Sequence, residues 1–281
     1  MVKITGETRV HSLFGSPVED SLSPVIFNTT FQKLSLNRAY LPFNVSKSQL
    51  KHAVQAARTL GFDGFNVTMP HKTRILELVD QLDDVAKKGG TVNTVARVGQ
   101  RLVGYSTDGE GAFRAIKSYG FEPGDKNILV IGAGGAARAI VQRLSLRHNS
   151  IRILNRSLDR AKTVAEDLNG RGSVSCGKLT KKNLETSIPG TNLLVNATPL
   201  QTTKILAELA IQPQSLRDID WVFDLAYDEL SDPPHTRSGR ISPLEMLLHQ
   251  AALSFEIWLG KPAPLALMRA SLVDHLGRDW K

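Results

Sequence analysis

The chain has 281 residues, 41% hydrophobic, with 35 Lys and Arg against 27 Asp and Glu, a formal net charge of +8. This length suits one large or two ordinary domains, and no apolar run is long enough to span a bilayer. The basic residues are scattered, with doublets such as Lys87-Lys88 and Lys181-Lys182 and no aromatic-basic stripe, so the charge suits an anionic small molecule better than nucleic acid. Seven dispersed histidines and the single Cys176 give no metal-ligand spacing and no internal disulfide. Residues 1–6 carry no extended apolar stretch of the secretion-signal kind, and the expectation is a cytoplasmic protein.

Thr8 to Phe14 reads as a strand running into Gly15-Ser16-Pro17 and then Ser21-Leu22-Ser23-Pro24. Pro24 suits the first turn of a helix to about Leu34, with Ser23 as its N-cap. Capping does not account for Ser21, and two hydroxyls on a loop after a strand also suit a polyol or a carboxylate. Ala39 to Val45 is a second strand, Lys47 to Thr59 a helix, and Gly64 to Val67 a third strand feeding Thr68-Met69-Pro70-His71-Lys72. Pro70 marks a helix start that places Lys72 in the first turn, where a cation opposes the helix dipole. Such a charge is either a solvated surface lysine or one kept for function.

Val92 to Val98, a Gly99-Gln100 turn and Leu102 to Tyr105 form a hairpin. Asn93 at its start is placed either to bond backbone or to hold a ligand hydroxyl. Ser106-Thr107-Asp108-Gly109 follows, with Thr107 or Asp108 as N-cap of a helix from Glu110 to Tyr119. Gly120 and Pro123-Gly124 mark the linker into the next strand.

Ile128-Leu129-Val130-Ile131 then meets Gly132-Ala133-Gly134-Gly135-Ala136-Ala137, which reads as strand, tight glycine turn and helix. Gly132 permits the turn, Gly134 lets a pyrophosphate approach the backbone, and small Ala137 allows close helix–strand packing. Gly135 and Ala136 open the helix, whose free N–H groups and positive dipole end suit phosphate. At the end of the next strand, Ile151 to Leu154, an acid would hold the ribose 2′-hydroxyl of NAD. This chain has Asn155-Arg156-Ser157, with Arg160 one turn on and Asp159 the one nearby acid. Arg156 could clamp a 2′-phosphate with charge-assisted bonds worth about 1.5–3 kcal/mol, so the expected cofactor is NADP; the alternative is that Asn155 and Ser157 cap a helix beside a solvated arginine.

Asn192 to Asn196 and Trp221 to Leu225 are further strands, ending in Ala197-Thr198-Pro199 and Ala226-Tyr227. Ligands of open α/β sheets bind at such carboxyl tips. Asp228 to Ser242 reads as a mobile connection, Pro243 to Trp258 as a helix, and Leu265 to Leu276 as the last helix.

These motifs in this order, together with Met246-Leu247-Leu248-His249-Gln250, resemble the shikimate dehydrogenase family across nearly the whole chain. The resemblance implies two α/β domains facing across a cleft. Residues 1–106 with 243–281 would form an N-terminal substrate-binding domain to which the last helices return, and 107–242 a Rossmann-like NADP-binding domain. It implies reversible NADPH-dependent reduction of 3-dehydroshikimate to shikimate, a step of aromatic amino-acid biosynthesis. Lys72 and Asp108 would be the acid–base pair. Ser21 and Ser23 would bind the substrate carboxylate, Thr68, Asn93, Asp108 and Gln250 its hydroxyls, and Tyr227 would close the site. Gly132, Gly134, Gly135, Ala136, Asn155, Arg156, Ser157, Arg160, Thr198 and Met246 would hold the cofactor. The expected partner is that small molecule alone, with no metal, nucleic acid or membrane, in a monomer or homodimer.

Four departures bear on how the cofactor sits. Leu200-Gln201 replaces the usual Gly-Met after Asn-Ala-Thr-Pro, and Pro243-Leu244-Glu245 replaces Gly-Leu-Gly before Met246. The usual Thr-Pro-Leu-Leu stretch after the tyrosine is not recognisable, and Ser106 stands for a common asparagine. A quinate or mixed quinate/shikimate dehydrogenase and a catalytically silent ligand-sensing regulator are the competing readings.

Overall fold

The computed structural model describes residues 4–168, 173–226, 236–278 and 280. The chain divides into two compact units, Met1–Gly111 with Leu247–Lys281, and Ala112–Met246. The divisions expected at 106/107 and 242/243 sit at the loops before two helices, whereas the contacts divide within those helices, Asp108–Ser118 and Pro243–Leu259. Among the described residues no helix is long and apolar enough to cross a membrane.

The first unit runs β1 (Arg9–Gly15), α1 (Ser23–Lys33), β2 (Arg38–Asn44), α2 (Leu50–Thr59), β3 (Gly64–Val67), a 3-10 turn (Arg74–Glu77), β4 (Gln81–Leu82), α3 (Asp84–Gly89), β5 (Thr94–Val98), β6 (Arg101–Tyr105) and the start of α4 (Asp108–Ser118). Its sheet has the order β2-β1-β3-β5-β6-β4. β1 pairs parallel with β2 and β3, and the hairpin of β5 and β6 makes the antiparallel part. Alternation along β1 sends Leu13 to a core with Phe27, Phe31, Leu248, Phe255 and Leu272. It sends Phe14 to a second core with Val54, Ala57 and Ile75 on the opposite face. The late helices are needed here, because α9 (Pro243–Leu259) and α10 (Leu265–Leu276) cover the first of these faces. A Cβ on Gly64 would run into the Trp258 ring, whose Nε1–H donates to Val95 O at 2.9 Å. Glycine at that strand position therefore sets how closely α9 lies on the sheet.

The second unit contains β7 (Asn127–Ile131), α5 (Gly135–Ser145), β8 (Ser150–Asn155), α6 (Leu158–Leu168), β9 (Ser173–Lys178), α7 (Lys181–Ser187), β10 (Leu193–Asn196), α8 (Thr202–Glu208), a 3-10 turn (Pro213–Asp218), β11 (Trp221–Asp224) and β12 (Gly239–Ile241). All its neighbouring strands pair parallel, in the order β12-β11-β10-β7-β8-β9. Counted within the unit this is the 3-2-1-4-5-6 order of a doubly wound dinucleotide fold, with its switch point between β7 and β10. The four-residue apolar run of β7 has a simple cause. Ile128 and Val130 pack with Ile140 and Leu144 of α5, while Leu129 and Ile131 pack with Leu184 and Ile205 from α7 and α8. A parallel strand covered on both faces cannot alternate with polar residues.

Two expectations are corrected. The residues read as one connection, Asp228 to Ser242, include β12 on the sheet edge, where Arg237 and Ser238 donate backbone N–H groups to Ile219 and Asp220. Three residues carry too little periodicity to be read as a strand. β9, which holds Cys176, also went unread; its mixed pattern of half-buried residues fits an edge strand.

His11 on β1 is fully buried against Phe31 and Trp258, with the Trp258 ring centroid 4.6 Å away. Burial, then the Arg38 charge, push its pKa down from 6.5 to about 3. Between those values the unfolded chain binds a proton that the folded chain does not, so stability is lost as pH falls below about 6.5, by up to about 1.4 kcal/mol per pH unit. Urea unfolding from pH 6.5 to 4.5 should show this slope flattened in His11→Phe. An unchanged slope would assign it to other groups.

Candidate active site

In the first unit the chemistry gathers at the carboxyl ends of β1 and β3, which are parallel neighbours. Ser16 N–H donates to Met69 O at 3.0 Å, so the loop that leads to Ser21 lies on the loop that carries Thr68. A Cβ on Gly15 would overlap the Thr68 side chain, which is why the two loops can close. The Ser21 hydroxyl accepts the Ser23 N–H at 3.3 Å, leaving its own O–H to donate elsewhere. Ser23 does not cap α1: the cap position is Leu22 and Ser23 is already helical, since the turn that Ser21 closes starts the helix one residue early.

Lys72 also differs from expectation. It lies in a turn before the Arg74–Glu77 3-10 segment rather than in the first turn of a helix. Its carbonyl accepts Val92 N–H at 2.8 Å, a partner outside its own segment. The helix-dipole argument falls, and a stronger one replaces it. Lys72 Nζ donates to Asp108 Oδ2 at 2.6 Å, with the lysine side chain 17% exposed and the aspartate 5%.

Asn93 assembles the rest. Its Nδ2 reaches Thr107 Oγ1 at 2.8 Å, Asp108 Oδ1 at 3.2 Å and Gln250 Oε1 at 3.2 Å, and its Oδ1 accepts Thr107 N–H at 2.7 Å. Two amide hydrogens thus serve three acceptors, and the two longer bonds are those a ligand could displace. Behind Asn93 lies a buried polar layer. Asn66 Nδ2 donates to Asn93 O, Thr94 Oγ1 and Ser254 Oγ, Tyr40 donates to Asn66 Oδ1 at 2.9 Å, and Ser254 donates to Gln250 O at 3.0 Å. None of Tyr40, Asn66, Thr94 and Ser254 was singled out from the sequence. The available signal was a polar residue inside an apolar strand or helix face, Asn66 in Gly64–Val67 above all.

In the second unit Gly132 adopts φ +110°, and a Cβ there would stand 3.1 Å from Ala197 O. Gly134 is the N-cap of α5, with no side-chain cap and no acid in the first turn. A Cβ on Gly134 would meet nothing within 4 Å. The first N–H groups of α5, in half-buried Gly135 and Ala136, therefore face an open approach that fits a pyrophosphate. Arg156, Ser157 and Arg160 are exposed just past β8, and Asn155 Nδ2 donates to Ser157 O at 2.9 Å. That bond, donated by Nδ2 to a carbonyl, is not itself a cap on α6. Thr198 gives its N–H and O–H to Asn196 Oδ1, while Met246 packs into the apolar cluster of this unit. Glu245 is buried at 1% exposure. Tyr227 lies outside the described residues.

A doubly wound parallel sheet with a glycine turn at its switch point, in one chain with a second α/β unit carrying a buried lysine–aspartate pair, defines a two-domain α/β protein of the Rossmann-like class. Family models match along it: the shikimate dehydrogenase substrate binding domain over residues 13–95, shikimate / quinate 5-dehydrogenase over 116–227, and the shikimate 5′-dehydrogenase C-terminal domain over 244–273. Shikimate dehydrogenase (NADP(+)) of Methanopyrus kandleri is 38% identical, over 98% of this chain and 98% of its own. The enzyme of that name from Methanocaldococcus jannaschii is 34% identical over 97% and 99%. A shikimate 5-dehydrogenase from Listeria monocytogenes, solved in complex with shikimate and NAD, superposes with TM-score 0.85 at 32% identity, over 96% of this chain and 98% of that one. The chain belongs to the shikimate dehydrogenase family.

Gly111 on α4 is a further position the sequence did not mark. A Cβ there would stand 2.9 Å from both the backbone N and the Cβ of Gln250. Backbone cannot swing aside as a side-chain tip can, so Gly111→Ala should cost about 1–3 kcal/mol in urea unfolding. A variant as stable as its parent would show that α9 has room to retreat from α4.

Proposed function

We propose that the chain catalyses the reversible reduction of 3-dehydroshikimate to shikimate with NADPH, and that Lys72 and Asp108 are its acid–base pair. The observation that carries this reading is the 2.6 Å Lys72–Asp108 bond beside the Asn93 amide. Bound NADPH supplies the hydride that reduces the keto carbon. As that carbon is reduced, the carbonyl π electrons move to oxygen, and the developing alkoxide takes a proton from the Lys72 ammonium. Lys72 is the donor because Asp108 is acceptor-only when ionised and both its oxygens are engaged, Oδ2 by Lys72 and Oδ1 by Asn93. Asp108 keeps the ammonium oriented, and in the oxidative direction the neutral amine takes the proton back.

The remaining roles follow the same geometry. A substrate hydroxyl accepts from Asn93 Nδ2 in the place that Gln250 Oε1 now holds, which frees the Gln250 amide oxygen to accept the hydroxyl's own proton. Thr68 contacts the same ring, and the Ser21 and Ser23 hydroxyls take the carboxylate. Gly132, Gly134, Gly135 and Ala136 hold the pyrophosphate, and Arg156 with Arg160 reads the 2′-phosphate from an exposed position open to an anion. Tyr227 completes the substrate site. The location proposed with this reading is the cytoplasm, where a biosynthetic step draws on reduced cofactor. The curated relatives that match across the chain carry the name shikimate dehydrogenase (NADP(+)), and this supports shikimate over quinate and turnover over silent sensing.

Absorbance of reduced nicotinamide, followed with shikimate or quinate and NADP⁺ or NAD⁺ in all pairings, should show fast turnover with shikimate and NADP⁺. Turnover with quinate alone, or with neither, would overturn the assignment. Lys72→Ala should lower kcat by about 10²-fold or more at intact circular dichroism; near-normal kcat would remove Lys72 from the chemistry. Arg156→Ala should raise KM for NADP⁺ about tenfold or more and leave KM for NAD⁺ little changed. Equal rises would show that Arg156 does not read the 2′-phosphate.

A further inference from the structure

The second unit holds a buried carboxylate to which neither the sequence motifs nor the reaction assigns a role. Asp224 ends β11 and is 3% exposed. Its Oδ1 accepts Asn196 Nδ2 at 2.6 Å, the Thr202 hydroxyl at 2.8 Å and the Thr202 N–H at 3.1 Å. Burial raises its pKa, while the bonds from Thr202 and Asn196 pull it back down. Three donors converging on one oxygen answer the need of a desolvated carboxylate for partners.

Those donors belong to the segment that follows β10. Asn196, held by Asp224, uses its own Oδ1 to take Thr198 N–H at 3.1 Å and Thr198 O–H at 2.8 Å, and its Nδ2 also reaches Leu200 O at 2.6 Å. Residues 196–202 are therefore tied into one turn whose two ends, Asn196 and Thr202, are fastened to the same carboxylate. This turn packs on the end of β7 and the glycine turn that follows it. Ala197 N–H donates to Ile131 O at 2.8 Å, and the space beside Gly132 is filled by Ala197 O and Thr198 Cγ2, 3.1 and 3.2 Å from where a Cβ would stand. The turn also contains the departure noted above. Where the resemblance leads to Gly-Met after Asn-Ala-Thr-Pro, this chain has Leu200-Gln201 and then Thr202, so a hydroxyl and an N–H anchored on Asp224 hold a segment that lacks the usual glycine.

We propose that Asp224 is a positioning residue for the dinucleotide, holding the 196–202 turn against Gly132 through Asn196 and Thr202 and so setting the width of the switch-point crevice that receives NADP. The proposal rests on the NADP-dependent reading above. Asp224 itself does not touch the cofactor. Its effect is carried by the turn, through Asn196 at one end and Thr202 at the other.

The test measures NADP⁺ dissociation constants by titration calorimetry, alongside Tm and the separate KM values for NADP⁺ and shikimate. Thr202→Val removes the 2.8 Å bond to the carboxylate at nearly constant volume. It should raise the NADP⁺ dissociation constant about tenfold, at the lower end of what loss of a hydrogen bond to a charged group gives. KM for shikimate should stay within about twofold of the parent, because the substrate residues other than Tyr227 lie in the other unit and Thr202 is not among the residues assigned to the substrate. Thr202→Ser restores the hydroxyl and should return the dissociation constant to near the parent value. Asp224→Ala should weaken NADP⁺ binding further if it folds, and Thr202→Val decides the matter if it does not. A Thr202→Val protein with lowered Tm but unchanged NADP⁺ affinity would make the network merely structural and overturn the inference alone. A parent protein that binds no NADP⁺ would overturn the cofactor reading, and the inference with it.

Discussion

The Asn93 side chain is the contact on which the first unit's chemistry depends. One amide reaches Thr107, Asp108 and Gln250, which come from the start of α4 and the middle of α9. Without it the Asp108 carboxylate would keep its bond to Lys72, and the link to Gln250 would fall to the Thr107 hydroxyl on the Gln250 carbonyl and to the close packing at Gly111. Because Nδ2 has more acceptors than hydrogens, the site is poised to exchange an internal bond for one to a ligand, which limits the desolvation cost of binding. The hydroxyls and amide of Tyr40, Asn66, Thr94 and Ser254 lie beneath it, where an unpaired polar group would cost more than any single bond gains.

The second unit works mainly with backbone. The anion site proposed for it is the N-terminus of α5, which has no side-chain cap and stands behind a glycine at φ +110°, where the Ile131 and Asn196 strand ends lie beside each other. Side chains act there by tying loops. Asp224 fastens the turn after β10, and Asn155 bonds the carbonyl two residues on at the exposed end of β8, where Arg156 stands. On the proposed reading the two units solve different problems. A polyol acid needs several directed hydroxyl and amide groups at fixed spacing, whereas a pyrophosphate needs N–H groups and room.

Where the sequence reading succeeded, a local rule had no competitor. The run Ile128–Ile131 before a glycine turn has one good solution, and β7 and α5 lie where that solution puts them. Leu265 to Leu276, bounded by Pro264 and Gly277, matches α10 end to end, because proline before the first turn and a glycine that takes the left-handed conformation after the last are the local signals of a helix start and stop. The reading failed where a distant partner outbid the local signal. Pro70 suggested a helix start, but Val92 claims the Lys72 carbonyl. Ser23 looked like a cap, but Ser21 closes the turn before it. β12 exists because β11 offers an edge to pair with, which no window of three residues reveals.

By itself the sequence determined the α/β alternation, the glycine turn, an asparagine rather than an acid at the end of β8 and the presence of Lys72, Asp108, Asn93 and Gln250, since each depends on residue type and short spacing. Only the tertiary structure decided that these four meet. Asn93 and Gln250 are separated by 157 positions, and what joins them is the packing of α9 on the first sheet at Gly64 and on α4 at Gly111. Such close approaches depend on what a neighbouring element lacks, a Cβ, and that is visible only once both elements are in place. The same holds for Asp224: an aspartate at the end of an apolar strand reads as a loop residue until the fold buries it and brings Asn196 and Thr202 to its oxygen.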